Sequence, residues 1–139
     1  MTTDIEAAYL KTIFQFKNLI NTKFGRGKKH VLGLTDLLIL RGIADEQSSV
    51  EISLDLQLTK AAVSQCTTTL EKRGLITRTT DAKNRRNLVL ALTPEGEKQL
   101  KETSDDFSYA FVAFVNEMGA SDLEKLLSLM RKMVSILDE

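Results

Sequence analysis

The sequence predicts a mainly α-helical fold with one small β-hairpin. Helix should dominate because proline occurs once and glycine only seven times in 139 residues. Two short segments, 75–79 and 88–92, are typical of strands, and the polar, basic stretch 81–87 between them is typical of a turn. The length suits one domain over residues 1–139, and a content of 42% apolar residues is enough for a core.

The predicted elements follow in the order helix, helix, very short strand, short helix, longer helix, hairpin, helix, helix. The first helix covers about residues 4–24, and the second covers about 35–44 with Thr35 as its N-cap. Residues 48–50 are the very short strand. Residues 50–58 alternate between apolar and polar side chains as a strand would, but a short helix is also compatible, and periodicity does not decide between them.

Capping residues mark the helix ends in the second half of the chain. A threonine caps the longer helix, about residues 60–73, and a glycine ends it. A Thr-Pro pair opens the next helix, because proline fits the first helical position, and a glycine ends that helix near residue 118. The last helix begins with a serine three residues before a glutamate, the pattern of a capping box. These positions are Thr59, Gly74, Thr93, Pro94, Gly119, Ser121 and Glu124.

The formal net charge is zero, but the charges are unevenly distributed. Residues 59–86 contain seven basic and two acidic side chains, a net charge of +5, whereas residues 95–139 contain five basic and ten acidic ones, a net charge of −5. This distribution indicates that one face meets an anion and another does not. Helical proteins often show local imbalance, so charge alone does not identify a partner.

Few residues suit metal, redox or catalytic chemistry. The only cysteine, Cys66, excludes an internal disulfide, and with the only histidine, His30, it does not suffice for a zinc site within one chain. No paired carboxylates, nucleophile–base set or phosphate-binding glycine loop is recognisable, so we expect neither an enzyme nor a cofactor. The sequence has no membrane-spanning apolar stretch and no features of a secretory signal, so we expect a cytoplasmic protein.

The helix predicted at 60–73 has a face suited to DNA. A major groove about 12 Å wide admits one helix, provided that its outward side chains are small or polar. Gln65 can make two hydrogen bonds to adenine, while Lys60 and the helix N-terminus capped by Thr59 suit phosphate oxygens. The candidate base-edge contacts on the outward face are Ala61, Ser64, Gln65 and Thr68.

The predicted hairpin has a cationic tip. Lys83, Arg85 and Arg86 can reach an adjacent minor groove, where arginine is favoured in narrow A·T tracts. The hairpin would then be the wing of a winged helix-turn-helix, with residues 34–96 as the DNA-binding region.

The stretch from Leu54 to Gly96 resembles the MarR family of bacterial regulators (the multiple antibiotic resistance regulator type). The family's helix ends in Leu-acidic-basic-x-Gly-Leu, and an arginine follows. Residues 70–75, with the sequence LEKRGL, and Arg78 match this pattern. We therefore count Arg78 among the predicted DNA contacts.

The wing also resembles that of the family. The pattern Asp-x-x-Asp-x-Arg, followed by Leu-Thr-x-x-Gly, is matched by Asp81, Arg86 and residues 92–96. The resemblance implies that Asp81 stabilises the wing. Asn84 departs from the pattern because aspartate is usual there, and it leaves the tip more positive.

The resemblance further implies a homodimer held by helices in regions 1–30 and 97–139. A twofold dimer would present two recognition helices to successive major grooves, about 34–36 Å apart, and bind an imperfect inverted repeat. The alternative is that the apolar sides of these helices form the core of a monomer. Family members often bind small aromatic or lipophilic ligands, and Phe16 and Leu40 are candidates for such a cleft.

The predicted function is that of a sequence-specific, DNA-binding transcriptional regulator that acts as a repressor, with a small ligand as the candidate signal that relieves repression. One alternative is a winged-helix module that binds protein, but the outward face of its helix would then be apolar. Another is a thiol-sensing regulator that acts through Cys66. A buried free cysteine more often behaves as a small apolar side chain.

Overall fold

The computed structural model describes residues 2–25, 32–80, 83 and 88–139, except for the side chains of residues 24 and 25. This part of the chain contains six α-helices and one two-stranded antiparallel sheet, which confirms the mainly α-helical fold with a single hairpin. The elements are α1 (Thr2–Gly25), α2 (Leu34–Ala44), α3 (Ser49–Leu56), α4 (Lys60–Lys72), β1 (Ile76–Thr80), β2 (Leu88–Leu92), α5 (Pro94–Met118) and α6 (Ala120–Leu137).

The chain forms two compact units. The first, Met1–Ser104, contains α1 to α4, the hairpin and the first part of α5. The second, Asp105–Glu139, contains the rest of α5 and α6. In the second unit, Phe111 lies between Phe107 and Phe114, with ring centroids 5.5 and 6.2 Å apart.

The core of the first unit is apolar and centred on α2. This helix buries residues on more than one side, including Ile39 and Leu40 with no exposed surface. α3, α4 and the hairpin pack around it, so the elements that flank the predicted DNA-contacting helix rest on one common core. The buried apolar residues are Leu32, Leu37, Ile39, Leu40, Ile43, Ile52, Val63, Leu70, Leu75 and Ile76.

The very short strand predicted at 48–50 is wrong, because this segment is helical. Ser48 is the N-cap of α3: its hydroxyl accepts a hydrogen bond from the Glu51 N–H, and the Glu51 carboxylate accepts one from the Ser48 N–H. This capping box starts a helix at Ser49 and decides the open question at 50–58 in favour of helix. Only the two strands of the hairpin occur among the described residues.

Two predicted caps are also wrong. α2 begins before Thr35, since the N–H of Leu37 bonds to the carbonyl of Gly33, which is the N-cap. α6 begins before Ser121, since Gly119 is the N-cap and no side chain caps that end. Gly119 has φ of +90°, a conformation that glycine adopts without strain, and it joins α5 to α6 in a single residue.

The two strands pair in an antiparallel manner, as predicted for a hairpin. Ile76 pairs with Leu92 at its base and Thr80 with Leu88 near its tip. The first strand thus runs from Ile76, which is buried at the base, to Thr80, which is exposed.

Candidate nucleic-acid interface

The N-terminus of α4 is capped as predicted. The Thr59 hydroxyl accepts a hydrogen bond from the Ala62 N–H at 3.0 Å, which satisfies one of the backbone donors that a helix start leaves without partners. Thr59 and Lys60 are both exposed, and the first turn contains no acidic residue. The positive end of the helix dipole, a lysine and backbone donors therefore share one exposed surface, which suits an anion such as a phosphate.

The predicted base-edge contacts lie on one face of α4. Positions 61, 64, 65 and 68 are spaced by three or four residues, so they follow one stripe of the helix. Ala61, Ser64 and Gln65 are exposed and Thr68 is half-buried. The structure thus brings four short or polar side chains to the solvent side of this helix.

The opposite face of α4 holds it to the core. Val63 and Leu70 are fully buried among apolar residues. Thr67 is also buried, and its hydroxyl donates to the Ser64 carbonyl at 3.0 Å, so the polar group is satisfied within the helix. Cys66 is half-buried against the core, as predicted for the inward face. Burial raises the pKa of the Cys66 thiol, and the nearby Asp36 carboxylate raises it further.

The C-terminal end of α4 is fixed by its backbone. Gly74 has φ of +76°, its N–H bonds to the Glu71 carbonyl, and the Leu75 N–H bonds to the Leu70 carbonyl. These two bonds form a Schellman motif, so the predicted role of Gly74 as a helix stop is confirmed.

Two ion pairs tie α4 to its neighbours. Arg73 at the C-cap contacts Asp36 of α2 at 3.4 Å, and Arg78 of β1 contacts Glu71 of α4 at 3.2 Å. The side chain of Arg78 is only 25% exposed. This gives Arg78 a structural role in attaching the wing strand to the recognition helix, and its predicted DNA contact stays a prediction.

Most of the predicted hairpin tip lies outside the described residues. This applies to the candidate DNA contacts Arg85 and Arg86, to the candidate wing-stabilising Asp81, and to Asn84. Lys83 is described and exposed. His30 also lies outside the described residues.

The two candidate ligand-contacting residues lie in different surroundings. Phe16 of α1 is 46% exposed, whereas Leu40 of α2 is completely enclosed in the core. Neither lines the cleft of about 660 Å³ formed by α2, β2 and the start of α5. Neither lines a smaller cleft of about 150 Å³ between α3, α4 and the hairpin, which Lys60 and Arg78 border. Their role in ligand binding stays a prediction.

Sequence reasoning missed several residues that position α4. The Ser48–Glu51 capping box had a visible signal, a serine three residues before a glutamate. The ion pair between Arg73 and Asp36 had none, because its partners are 37 positions apart and meet only through the packing of α2 on α4. No group of three or more potential metal ligands was found in the part of the chain that is described. None of the described helices is long and apolar enough to cross a membrane.

These elements define a winged helix-turn-helix. α3 and α4 are joined by a three-residue turn in which Gln57 has φ of +56°, and the hairpin follows α4 directly as the wing. This is the architecture of a DNA-binding protein that places its second helix in the major groove.

The comparisons with known proteins find similarity to transcriptional regulators. The model of the MarR family matches residues 33–88, which include α2, α3, α4 and β1. The chain is 28% identical to transcriptional regulator HosA of Escherichia coli O127:H6 over 129 residues, which cover 90% of this chain and 96% of HosA. Residues 33–88 are thus similar to the MarR family, and the likeness to HosA, a transcriptional regulator, extends over most of the chain.

Solved structures share the fold. The crystal structure of the transcriptional regulator BldR from Sulfolobus solfataricus matches with a TM-score of 0.73 and 24% identity, and covers 97% of this chain and 98% of BldR. The structure of Bordetella bronchiseptica BpsR, whose DNA binding is regulated by 6-hydroxynicotinic acid, matches with a TM-score of 0.76 and 20% identity over 92% and 91% of the two chains. At these identities the likeness concerns the fold, and it extends over the helices on both sides of the winged helix-turn-helix.

Proposed function

We propose that this protein is a cytoplasmic, sequence-specific repressor that binds an inverted repeat in double-stranded DNA as a homodimer. The observation that carries the proposal is the outward face of α4, where Ala61, Ser64 and Gln65 are exposed beside a capped helix start. Short polar side chains allow the helix backbone to approach base edges, and Gln65 is long enough to make two hydrogen bonds to an adenine. A face used to bind protein would instead be apolar.

Phosphate contacts would come from both sides of α4. Thr59 and Lys60 lie at its N-terminus, and the predicted contacts Lys83, Arg85 and Arg86 belong to the wing. The helix would lie in the major groove and the wing would reach the adjacent minor groove. Phosphate contacts set the position of the protein, and the base-edge contacts of α4 provide the specificity.

The exposed apolar surface supports the homodimer. α6 buries none of its residues, and α1 exposes an aromatic and aliphatic surface that includes Phe14 at 64% exposure. A monomeric protein rarely exposes apolar surface on this scale, because removing such surface from water is favourable by about 25 cal/mol per Å². The exposed apolar residues are Ile5, Tyr9, Leu10, Ile13, Phe14, Phe16 and Leu19 of α1, Tyr109, Phe111, Val112 and Phe114 of α5, and Leu126, Leu127, Leu129, Met130, Val134, Ile136 and Leu137 of α6.

A second copy of the chain is the occupant that fits this surface. Such a dimer would have a twofold axis and would carry two copies of α4, which is the reason to expect an inverted repeat with half-sites one helical turn apart. Repression would follow from occupation of the operator.

A small aromatic or lipophilic ligand is the proposed signal that releases the DNA. BpsR, which shares the fold, is regulated by 6-hydroxynicotinic acid, a small aromatic molecule. Phe16 remains our candidate contact because its ring is half-exposed on α1. Leu40 could contact a ligand only if the core around it opened, since its side chain has no exposed surface.

One selection experiment tests the proposal. The protein would be incubated with a pool of genomic DNA fragments, and the bound fragments would be recovered and sequenced. We expect an imperfect inverted repeat, bound by a species of twice the mass of the chain. A monomer with no preference for any duplex at low salt would contradict the proposal.

Two measurements on a selected duplex then test the proposed phosphate contacts and the proposed base contacts separately. If the dimer makes about eight phosphate contacts, log affinity should fall with log salt at a slope of about −7, and a flat response would remove the electrostatic contribution. Gln65→Ala should change base preference more than overall affinity. Lys72→Ala, at the other end of the same helix, is the matched control and should leave base preference unchanged.

A further inference from the structure

Two residues at the start of α5 hold the end of the recognition helix. Thr93 is the N-cap of α5, and its hydroxyl accepts a hydrogen bond from the Gly96 N–H at 3.0 Å. The same hydroxyl donates to the Gly74 carbonyl at 2.6 Å, and the Thr93 N–H donates to the Leu75 carbonyl at 3.0 Å. We call this group of four residues, Gly74, Leu75, Thr93 and Gly96, the α4–α5 clasp.

The contacts of the clasp exceed what a helix cap requires. Capping α5 needs only that the Thr93 hydroxyl accept a bond from the first turn. Thr93 also donates two hydrogen bonds, one to Gly74 and one to Leu75, the residues that follow the last turn of α4. A hydroxyl can accept and donate at the same time, so one side chain joins the first turn of α5 to the last turn of α4.

Both sides of the clasp are closely packed. Gly74 and Leu75 form the Schellman motif that ends α4, and Leu75 has no exposed surface. On the α5 side, a Cβ atom added to Gly96 would lie only 2.0 Å from the Leu75 carbonyl oxygen and 2.9 Å from its carbonyl carbon. The first turn of α5 therefore rests directly on the backbone of the α4 end, without a side chain between them.

We infer that Thr93 and Gly96 are positioning residues that set the angle between the recognition helix and α5. This inference rests on the proposed function, in which α5 leads to the dimer region and α4 contacts DNA. In a dimer, the angle between α4 and α5 determines how far apart the two recognition helices stand. The clasp therefore determines which half-site spacing the dimer accepts.

The variant Thr93→Val tests this with little change of shape. Valine keeps the branched side chain but removes the hydroxyl, and with it the bonds to Gly74 and Gly96, whereas Thr93→Ser keeps both bonds. Ile43→Val serves as the stability control, because it trims a buried residue of the same unit outside the clasp. The measurement must distinguish a wider range of angles between α4 and α5 from a general loss of stability.

The first readout needs no DNA. Spin labels would be placed at Gln65→Cys on α4 and Lys98→Cys on α5, both exposed, in a Cys66→Ser background, and the distribution of distances between them would be measured. We expect Thr93→Val to broaden this distribution, and Thr93→Ser and Ile43→Val to leave it unchanged. A distribution of unchanged width in Thr93→Val would overturn the inference.

The second readout is the choice of half-site spacing. The probes are a duplex selected by the wild-type protein and versions with one or two base pairs inserted or removed at its centre. We expect Thr93→Val to reduce the ratio of affinities between the selected and altered spacings by about fivefold. Lower affinity for all spacings with an unchanged ratio, as we expect for Ile43→Val, would show that Thr93 only stabilises the fold.

The two measurements distinguish a failure of the proposed function from a failure of the inference about the clasp. If the wild-type protein binds no duplex, the proposed function fails, but the label distances still decide whether the clasp fixes α4 on α5. If the wild-type protein selects an inverted repeat and Thr93→Val keeps both the distance distribution and the spacing ratio, the inference fails and the proposed function stands.

Discussion

Gly96→Ala should destabilise the protein by steric contact with the end of α4. The new Cβ would lie 2.0 Å from the Leu75 oxygen, and Cβ atoms in proteins essentially never come within 3.0 Å of a non-bonded heavy atom of a distant residue. The first turn of α5 must therefore retreat by about 1 Å, which stretches the bond between the Thr93 N–H and the Leu75 carbonyl from 3.0 Å to about 4 Å, beyond hydrogen-bonding distance. The atoms that the new Cβ would meet belong to the backbone of Leu75, so no flexible side chain can move aside.

The expected net cost is about 2 kcal/mol. Added volume at a closely packed site costs about 1–3 kcal/mol, and the lost hydrogen bond adds about 1 kcal/mol. Alanine recovers about 0.5–1 kcal/mol because it is a better helix former than glycine. The sign is unambiguous, since even the lower end of the steric cost together with the lost bond exceeds the gain in helix propensity.

Urea unfolding followed by circular dichroism measures this cost at one fixed protein concentration, which matters if the chain is a dimer. Gly33→Ala is the matched control: apart from its chain neighbours, no atom of the described residues lies within 4 Å of the added Cβ, and φ is −67°. We expect this control to unfold within about 0.5 kcal/mol of the wild type, since loss of a glycine cap and reduced freedom of the unfolded chain oppose each other. A Gly96→Ala protein as stable as Gly33→Ala would refute the close approach of α5 to Leu75.

Three further outcomes are expected. Cys66 should react with iodoacetamide more slowly than an exposed cysteine introduced as Gln65→Cys in a Cys66→Ser background, because burial raises the pKa of the Cys66 thiol, and equal reaction rates would contradict this. Since this pKa is higher in the folded than in the unfolded chain, the contribution of Cys66 to stability should be unchanged at neutral pH and become unfavourable in alkaline solution. Phe14→Glu should lower the mass measured by light scattering towards that of one chain, whereas Lys11→Ala should not, and an unchanged dimer in Phe14→Glu would exclude this side chain from the interface. Ser48→Ala should lower the free energy of unfolding by about 1 kcal/mol through loss of the α3 cap, and an unaltered midpoint in urea would show that the capping box does not stabilise α3.

The general architecture was predictable because the spacing of apolar residues and the capping residues indicate the same elements along most of the chain. Thr59, Gly74 and Thr93 act at the helix ends where the sequence predicts them, and each has a local physical reason to do so. The outward face of α4 was predictable for a similar reason. Once Val63 and Leu70 are assigned to the core, helical spacing determines which side chains face the solvent.

Cap motifs alone do not place every helix start. The chain contains the pattern of a capping box at Ser48–Glu51 and again at Ser121–Glu124, but only the first forms. The difference lies two residues before the second pattern. Gly119, with φ of +90°, turns the chain directly from α5 into α6, so the N–H of Leu123 already bonds to the Gly119 carbonyl. Ser121 is then inside the helix, where its hydroxyl cannot act as the N-cap.

Apart from the pairing of the hairpin strands, contacts between separate elements could not be predicted. The pairing of Arg78 with Glu71 requires the sharp turn at Gly74, and the clasp requires that β2 return the chain to the end of α4. Gly96 is visible in the sequence as a glycine in the first turn of a helix. The reason for it, the carbonyl of Leu75, becomes evident only in the structure.

The ion pairs of α4 also change how the local charge should be understood. Residues 59–86 have a net charge of +5, but Arg73 and Arg78 are already paired with Asp36 and Glu71. An arginine that keeps its carboxylate partner displaces no counterion from DNA, so it adds nothing to the dependence of affinity on salt.

Arg78→Ala and Arg86→Ala should therefore differ in a measurable way. Arg86→Ala removes a proposed phosphate contact from each half of a dimer and should make the slope of log affinity against log salt shallower by about 1.8, which is 0.9 per phosphate. Arg78→Ala should weaken binding by a similar factor at every salt concentration and leave the slope unchanged, because it loosens the wing strand from α4 without removing a phosphate contact. Glu71→Gln is the control that breaks the same ion pair from its acidic side, and it should reproduce the effect of Arg78→Ala. A shallower slope in Arg78→Ala but not in Glu71→Gln would show that Arg78 contacts DNA directly.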